Sequence, residues 1–293
     1  MSPSAEAAPT LDALLAFVDR HPRLFVLTGA GCSTDSGIPD YRDASGAWKR
    51  APPVTYQAFT RQDSTRLRYW ARSLIGFKPM KQAQPNRAHL ALSSLERAGR
   101  IGSIVTQNVD GLHSAAGSRA VIDLHGRIDA IVCLDCGARS HRAAFQSRLE
   151  AANPEWLDLD APMAPDGDAD LDGVDFDRFT VPACEVCGGM LKPDVVFYGE
   201  NVPAARVADA FAALESADAV LVVGSSLMVR SGYRFALAAH QRQLPIAAIN
   251  RGVTRADELL SLKIDAACGP ALDAVAQGYG DDAITPGEVQ PRP

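Results

Sequence analysis

The chain has 293 residues, of which 47% are apolar and 22% charged, a composition suited to a folded protein with a sizeable packed core. Its length predicts one large domain and a smaller one. A formal net charge of -6 argues against bulk affinity for nucleic acid, and no apolar run approaches the roughly 18 residues a membrane span needs.

The first 23 residues hold Glu6, Asp12 and Asp19 and no basic residue before Arg20, unlike a secretory or organelle leader. A cytoplasmic location is therefore expected. Leu11, Leu14, Leu15 and Val18 follow helical spacing. Residues 23–28 then read as a short buried strand that runs into Gly29-Ala30-Gly31. Further strands are predicted at 101–106, 219–223 and 245–249, each after a helix, at 86–98, 204–216 and 233–243. This alternation predicts an α/β fold, a Rossmann-like parallel sheet with helices on both faces. Residues 1–40, 86–125 and 192–280 are assigned to it. Residues 41–85 read as a helical insertion and 126–191 as a zinc-binding module, together a smaller domain, with 281–293 a flexible tail.

The first chemical signal is the segment from Thr28 to Arg42. Glycines at a strand's carboxyl end let backbone N–H groups approach a pyrophosphate, with Ser33 and its neighbours adding hydroxyls. An ordinary strand-to-helix turn is the alternative. The third position of the common Gly-x-Gly-x-x-Gly pattern is Thr34, which disfavours a hydride-transferring dehydrogenase. Cys133 and Cys136, with Cys184 and Cys187, form two Cys-x-x-Cys pairs. Four thiolates close a tetrahedral zinc site and leave no position for a reactive water, so the ion is expected to be structural; redox disulfides are the alternative. The aspartate-rich stretch 158–177 contains Asp168, Asp170, Asp172 and Gly173, which match the opening of a calcium loop. Phe179 stands where that loop needs Glu, so a solvated acidic loop is expected.

Gln107, Asn108, Val109 and Asp110 follow a strand end, where ligands of open α/β sheets bind. His125 lies just ahead of the zinc module and is the candidate base, with His113 its rival. Gly224, Ser225, Ser226 and Asn250 mark two more strand ends able to bond phosphate or ribose.

The order Gly-Ala-Gly-x-Ser, Gly-Ile-Pro-Asp-Tyr-Arg, Gln-Asn-Val-Asp, Leu-His-Gly, two Cys-x-x-Cys pairs, Gly-Ser-Ser and Ile-Asn resembles the sirtuin (Sir2) family over residues 11–275. Residues 68–72, 133–137, 164–168 and 191–197 further resemble its class II branch, in a bacterial member. The resemblance implies an NAD-dependent protein-lysine deacylase releasing nicotinamide, O-acyl-ADP-ribose and free lysine, with mono-ADP-ribosylation of proteins or a non-catalytic NAD module as alternatives. It implies that Gly29, Ala30, Gly31, Ser33, Asp40, Tyr41 and Arg42 wrap the NAD and that Asn108 and Asp110 hold the nicotinamide region. Gln107 would meet the ribose and Val109 the carboxamide. Gly224, Ser225, Ser226 and Asn250 would hold the phosphate and adenosine half, with Cys268 near adenine. His125 would be the general base, and Val196, Phe197 and Tyr198 would line the acyl-lysine channel. Tyr69 and Arg72 have the spacing that reads acidic acyl chains on one helix face. Acyl-lysine proteins or peptides are the implied partners, bound by a monomer without nucleic acid or membrane.

Overall fold

The computed structural model describes residues 10–49, 53–159, 171 and 174–280. A six-stranded parallel sheet has the order β3-β2-β1-β7-β8-β9. Its strands are β1 (Leu24–Thr28), β2 (Ile101–Thr106), β3 (Val121–Asp123), β7 (Ala219–Val223), β8 (Ile246–Ile249) and β9 (Leu262–Ile264). A second, antiparallel sheet runs β5-β4-β6, from β4 (Gly126–Cys133), β5 (Arg139–His141) and β6 (Leu191–Val195). The helices are α1 (Leu11–Arg20), α2 (Tyr56–Arg61), α3 (Asp63–Gln82), α4 (Arg87–Arg97), α5 (Leu112–Ala115), α6 (Arg142–Ala152), α7 (Ala204–Glu215), α8 (Arg230–Gln241) and α9 (Cys268–Gln277). None of the described helices is long and apolar enough to cross a membrane.

Strand periodicity divides the large core in two. On β1, Leu24 and Val26 join one cluster with residues of α1, α4 and α9, while Phe25 and Leu27 join the opposite one with α7 and α8. All five β1 residues are buried, as a central strand covered on both faces requires. Local signals set the helix starts. Thr10 caps α1 by accepting from Ala13 N–H, and Asn86 with His89 forms a capping box on α4.

The two insertions share one core. Phe59, Tyr69 and Trp70 from α2 and α3 pack with Ile131, Phe145, Leu149, Trp156 and Phe197 from the second insertion and the segment after it. The expected boundary at residue 192 falls inside β6, whose residues pair with β4 in the small sheet and leave the parallel one. Residues 42–49 and 53–55 are also not helical. The Asp43 carboxylate accepts from the N–H groups of Ser45 and Ala47, Gly46 takes a φ of 83°, and Arg42 bridges Trp48 antiparallel. A side chain that captures its own neighbouring amides in this way competes directly with helix formation. The calcium-loop match and the tail at 281–293 lie outside the described residues.

The four paired cysteines meet at one end of the small sheet, with ligand sulfurs all within 4.8 Å of one another. Cys133 Sγ is 3.5 Å from Cys187 Sγ, and Cys136 Sγ is 3.8 Å from Cys184 Sγ. Zinc–sulfur bonds of about 2.3 Å in a tetrahedron require sulfurs about 3.8 Å apart, so the residues fit the ion. The thiols differ in proton affinity. The N–H groups of Cys136 and Asp135 pull the Cys133 thiol down to about 7, while contact with Cys136 pushes Cys187 up to about 12. A divalent cation removes that difference by holding all four as thiolates. Cys187→Ser is expected to lower zinc content from about one ion per chain and to melt the small domain ahead of the parallel sheet. Atomic absorption and a thermal scan check this; an unchanged melt of metal-depleted protein would count against a structural ion.

Candidate active site

The carboxyl ends of β1, β2, β7 and β8 open into one cleft of about 910 Å³. Its floor depends on two glycine turns in contact. Gly31 N–H donates to the Gly224 carbonyl at 2.9 Å, and Gly29 N–H donates to the Val223 carbonyl at 3.1 Å. A Cβ on Gly224, whose φ is 59°, would lie 2.3 Å from Cys32 N, and one on Gly29 would lie 2.7 Å from Ser225 Cβ. Side chains are thus excluded where the two turns cross, and backbone faces the cleft. That is the cradle a pyrophosphate needs, and it fits a dinucleotide.

The end of β2 supplies the polar floor. Asn108 donates through Nδ2 to Gly29 O at 3.0 Å and to Ser33 Oγ at 2.9 Å. Ser33 donates in turn to Asp110 Oδ2 at 2.7 Å, and Asp110 Oδ1 accepts from Leu112 N–H at 2.8 Å. Ser225 donates to Gln107 Oε1 at 2.6 Å and so joins the β2 and β7 ends. Arg42, Arg230, Arg234 and Arg251 on the lining are accompanied by acidic groups, among them Asp35, Asp40 and Asp110.

His125 lies just after β3 on the cleft wall. Its Nδ1 is 2.9 Å from the Gln107 carbonyl, which can only accept, so Nδ1 carries the hydrogen and Nε2 the lone pair. Burial pushes its pKa down to about 4, against the raising effect of the Gln107 bond, so the imidazole is neutral at pH 7. His113, the rival, is 1% exposed and absent from the cleft lining. Its Nε2 meets Thr28 Oγ1 at 2.9 Å, its ring packs on His89 at 4.8 Å, and burial pushes it down to about 3. It is a core histidine.

Opposite the glycine turns, Val196 N–H donates to the His125 carbonyl at 2.8 Å. The segment Val196–Tyr198 is braced from below. Glu200 accepts from Phe197 N–H at 2.8 Å and pairs with the buried Lys192 ammonium at 3.2 Å. Tyr41, Trp48 and Tyr198 form an edge-on aromatic group, with Trp48 5.6 Å from Tyr198, and the Arg42 guanidinium lies 3.9 Å from the Trp48 ring centre.

Gly29, Ala30, Gly31, Ser33, Asp40, Tyr41, Arg42, Gln107, Asn108, Val109, Asp110, His125, Val196, Phe197, Tyr198, Gly224, Ser225, Ser226, Asn250 and Cys268 all line this cleft. Burial pushes the Cys268 thiol up to about 12, which makes it a packing group and no nucleophile. Tyr69 also reaches the lining, but Arg72 does not. Arg72 follows Tyr69 by three positions on α3 and is half-buried. Ser231 and Arg234 were not singled out from sequence. Their only local signal is a small polar residue opening the helix after the Gly-Ser-Ser strand end.

The Sir2 family model matches residues 29–231. An NAD-dependent protein deacetylase of Xanthomonas campestris pv. campestris (strain 8004) is 63% identical over 265 residues, covering 90% of each chain. NAD-dependent protein deacetylase 2 of Bradyrhizobium diazoefficiens is 64% identical over 256 residues, covering 87% of this chain and 94% of that one. Among solved structures, a Sir2 complex with a p53 peptide and NAD+ is 28% identical, with a TM-score of 0.74, covering 92% of this chain and 98% of that one. A family match across the sheet, the cleft and the cysteine pairs, joined to relatives this close over nearly the whole length, leaves one conclusion: the chain belongs to the Sir2 family.

Proposed function

We propose that this protein is an NAD-dependent protein-lysine deacylase of the class II branch, acting on acyl-lysine side chains of proteins or peptides. The observation that carries the reading is the placement of a neutral imidazole, with the lone pair on Nε2, in the same cleft as the crossed glycine turns. The relatives named NAD-dependent protein deacetylase support it.

Bound NAD supplies the ribose carbon that loses nicotinamide and accepts the acyl oxygen. Around it the chain's own groups have separable tasks. The bare backbone of the Gly29–Gly31 turn, with Gly224, Ser225 and Ser226, gives the phosphates close approach, and Asn250 holds the adenosine ribose. Asn108, Val109 and Asp110 position the nicotinamide end. Tyr41, backed by Trp48 and Tyr198, shields the reacting face from water, which would otherwise waste the co-substrate. The 196–198 segment leaves β6 with backbone groups able to pair with an extended peptide as an added strand. His125 Nε2 takes a proton from a ribose hydroxyl, and the Gln107 carbonyl at Nδ1 favours the resulting imidazolium.

His125→Ala should retain NAD binding in calorimetry yet lose deacylated peptide by roughly a hundredfold or more. Mass spectrometry of products should find O-acyl-ADP-ribose; an ADP-ribosylated protein acceptor in its place would favour the transferase alternative.

The acyl end of the cleft is apolar. Tyr69, Met80, Ile128, Val195 and Phe197 line it, and Arg72 does not. An uncharged acyl chain suits these apolar side chains, since burying a carboxylate among them would cost its hydration. Acetyl-lysine peptide is expected to turn over faster than its glutaryl counterpart, and Arg72→Met should leave that ratio unchanged. A selective loss of glutaryl activity in Arg72→Met would reverse this assignment.

A further inference from the structure

Both nitrogens of His125 are engaged. Nδ1 is bound to the Gln107 carbonyl, and Nε2 lies 2.7 Å from Ser231 Oγ. Since Gln107 fixes the hydrogen on Nδ1, the Ser231 hydroxyl must be the donor to Nε2. Ser231 is the second residue of α8, is 8% exposed, and lines the cleft beside Ser226 and Arg230. It is 106 residues from His125 in sequence. Gly232, next in the helix, leaves room for the Gln107 side chain, which would lie 2.6 Å from a Cβ at that position. The start of α8 is therefore fitted closely against the β2 end and the base together.

We infer that Ser231 is a positioning residue for His125: its hydroxyl holds the Nε2 lone pair on the cleft wall and yields it to the ribose hydroxyl that His125 deprotonates. This rests on the deacylase reading above and adds to it a partner for the base. With a carbonyl at one nitrogen and a hydroxyl at the other, rotating the ring breaks two hydrogen bonds. The imidazole is thereby held in one tautomer with its lone pair in the cleft. When a ribose O–H replaces Ser231 at Nε2, the proton moves to Nε2, the oxygen keeps the bonding pair, and the imidazole becomes imidazolium.

The hydrogen bond from Ser231 also has a sign. Donation to the lone pair favours neutral imidazole, so its removal should make His125 more basic. The other charged groups around the ring stay in place. Arg234 of α8 and Arg206 of α7 lower its proton affinity. Arg206 is itself paired with Asp194 of β6 at 3.1 Å, and Asp123 of β3 is turned to Arg127 of β4 at 3.7 Å.

The test uses zinc-loaded full-length protein and nitrogen-15 NMR of the histidine ring without NAD. Wild type should show Nδ1 protonated and Nε2 accepting. In Ser231→Ala the His125 midpoint should rise by about one pH unit, a tenfold gain in proton affinity, with Nδ1 still carrying the hydrogen. Ser231→Thr keeps the hydroxyl and should restore the wild-type midpoint. With substrates, Ser231→Ala should lower kcat about threefold to tenfold without raising KM for NAD, and its acid limb should move to higher pH with the NMR midpoint. An unchanged midpoint in folded Ser231→Ala overturns the inference. So does a wild-type ring protonated at Nε2, a result that needs no variant to fold. His125→Ala separates the two readings. If it keeps full turnover, the general-base reading fails whatever Ser231 does; if it is inactive and Ser231→Ala leaves the midpoint unmoved, only the role of Ser231 is lost.

Discussion

The crossing of two glycine turns is the constraint on which the rest of this structure depends. Gly31 and Gly224 come from strand ends nearly two hundred positions apart in the chain, yet their backbones share a hydrogen bond with no side chain between them. That closeness draws the carboxyl ends of β1, β7 and β8 into one floor, since Gly224 N–H also donates to Ile249 O at 2.9 Å. A methyl group on Gly224 would collide with Cys32 N and separate the turns. The ligand cradle and the central sheet are therefore one object. Its backbone is held by the strands, so little ordering remains to be done on binding.

The catalytic chemistry is built from the same strand ends. Gln107 has two unrelated tasks, its carbonyl setting the His125 tautomer and its side chain accepting from Ser225. Asn108 and Asp110 are likewise tied through Ser33 to the first glycine turn. A shift of the β2 end would move the base, the polar floor and the cradle together. Such coupling explains why so many polar groups can be buried here: each has a fixed partner, which offsets its lost hydration.

The small domain provides the opposite wall and has a different source of order. Its sheet is short, and much of its core consists of aromatic rings gathered from two distant insertions, with Trp70, Phe59 and Phe145 fully enclosed. Four cysteines tie the two ends of its long acidic insertion beside that core. Metal, aromatic packing and the Lys192–Glu200 brace together support the 196–200 segment that faces the cradle across the cleft.

Much of this was written in the linear pattern of residues. Apolar strands bounded by glycine located β1, β2, β7 and β8 to within a residue or so, because a doubly covered strand must be apolar throughout. The spacing of the cysteine pairs and the polar groups at strand ends likewise marked a metal set and a ligand cleft, because both are short-range signals. The departures come from pairings that no local pattern carries. Residues 191–195 extend the small sheet because β4, not the parallel sheet, offers them an edge. Arg72 shares a helix with Tyr69 but only the packing of α3 decides which of them meets the cleft. Ser231 reaches His125 because α8 and the β3 end are folded against one another. Sequence by itself determined the elements, the metal set and the cleft's chemical character, since those follow from periodicity and local spacing; tertiary structure alone decided which side chains meet, since contact across the chain depends on how the elements pack.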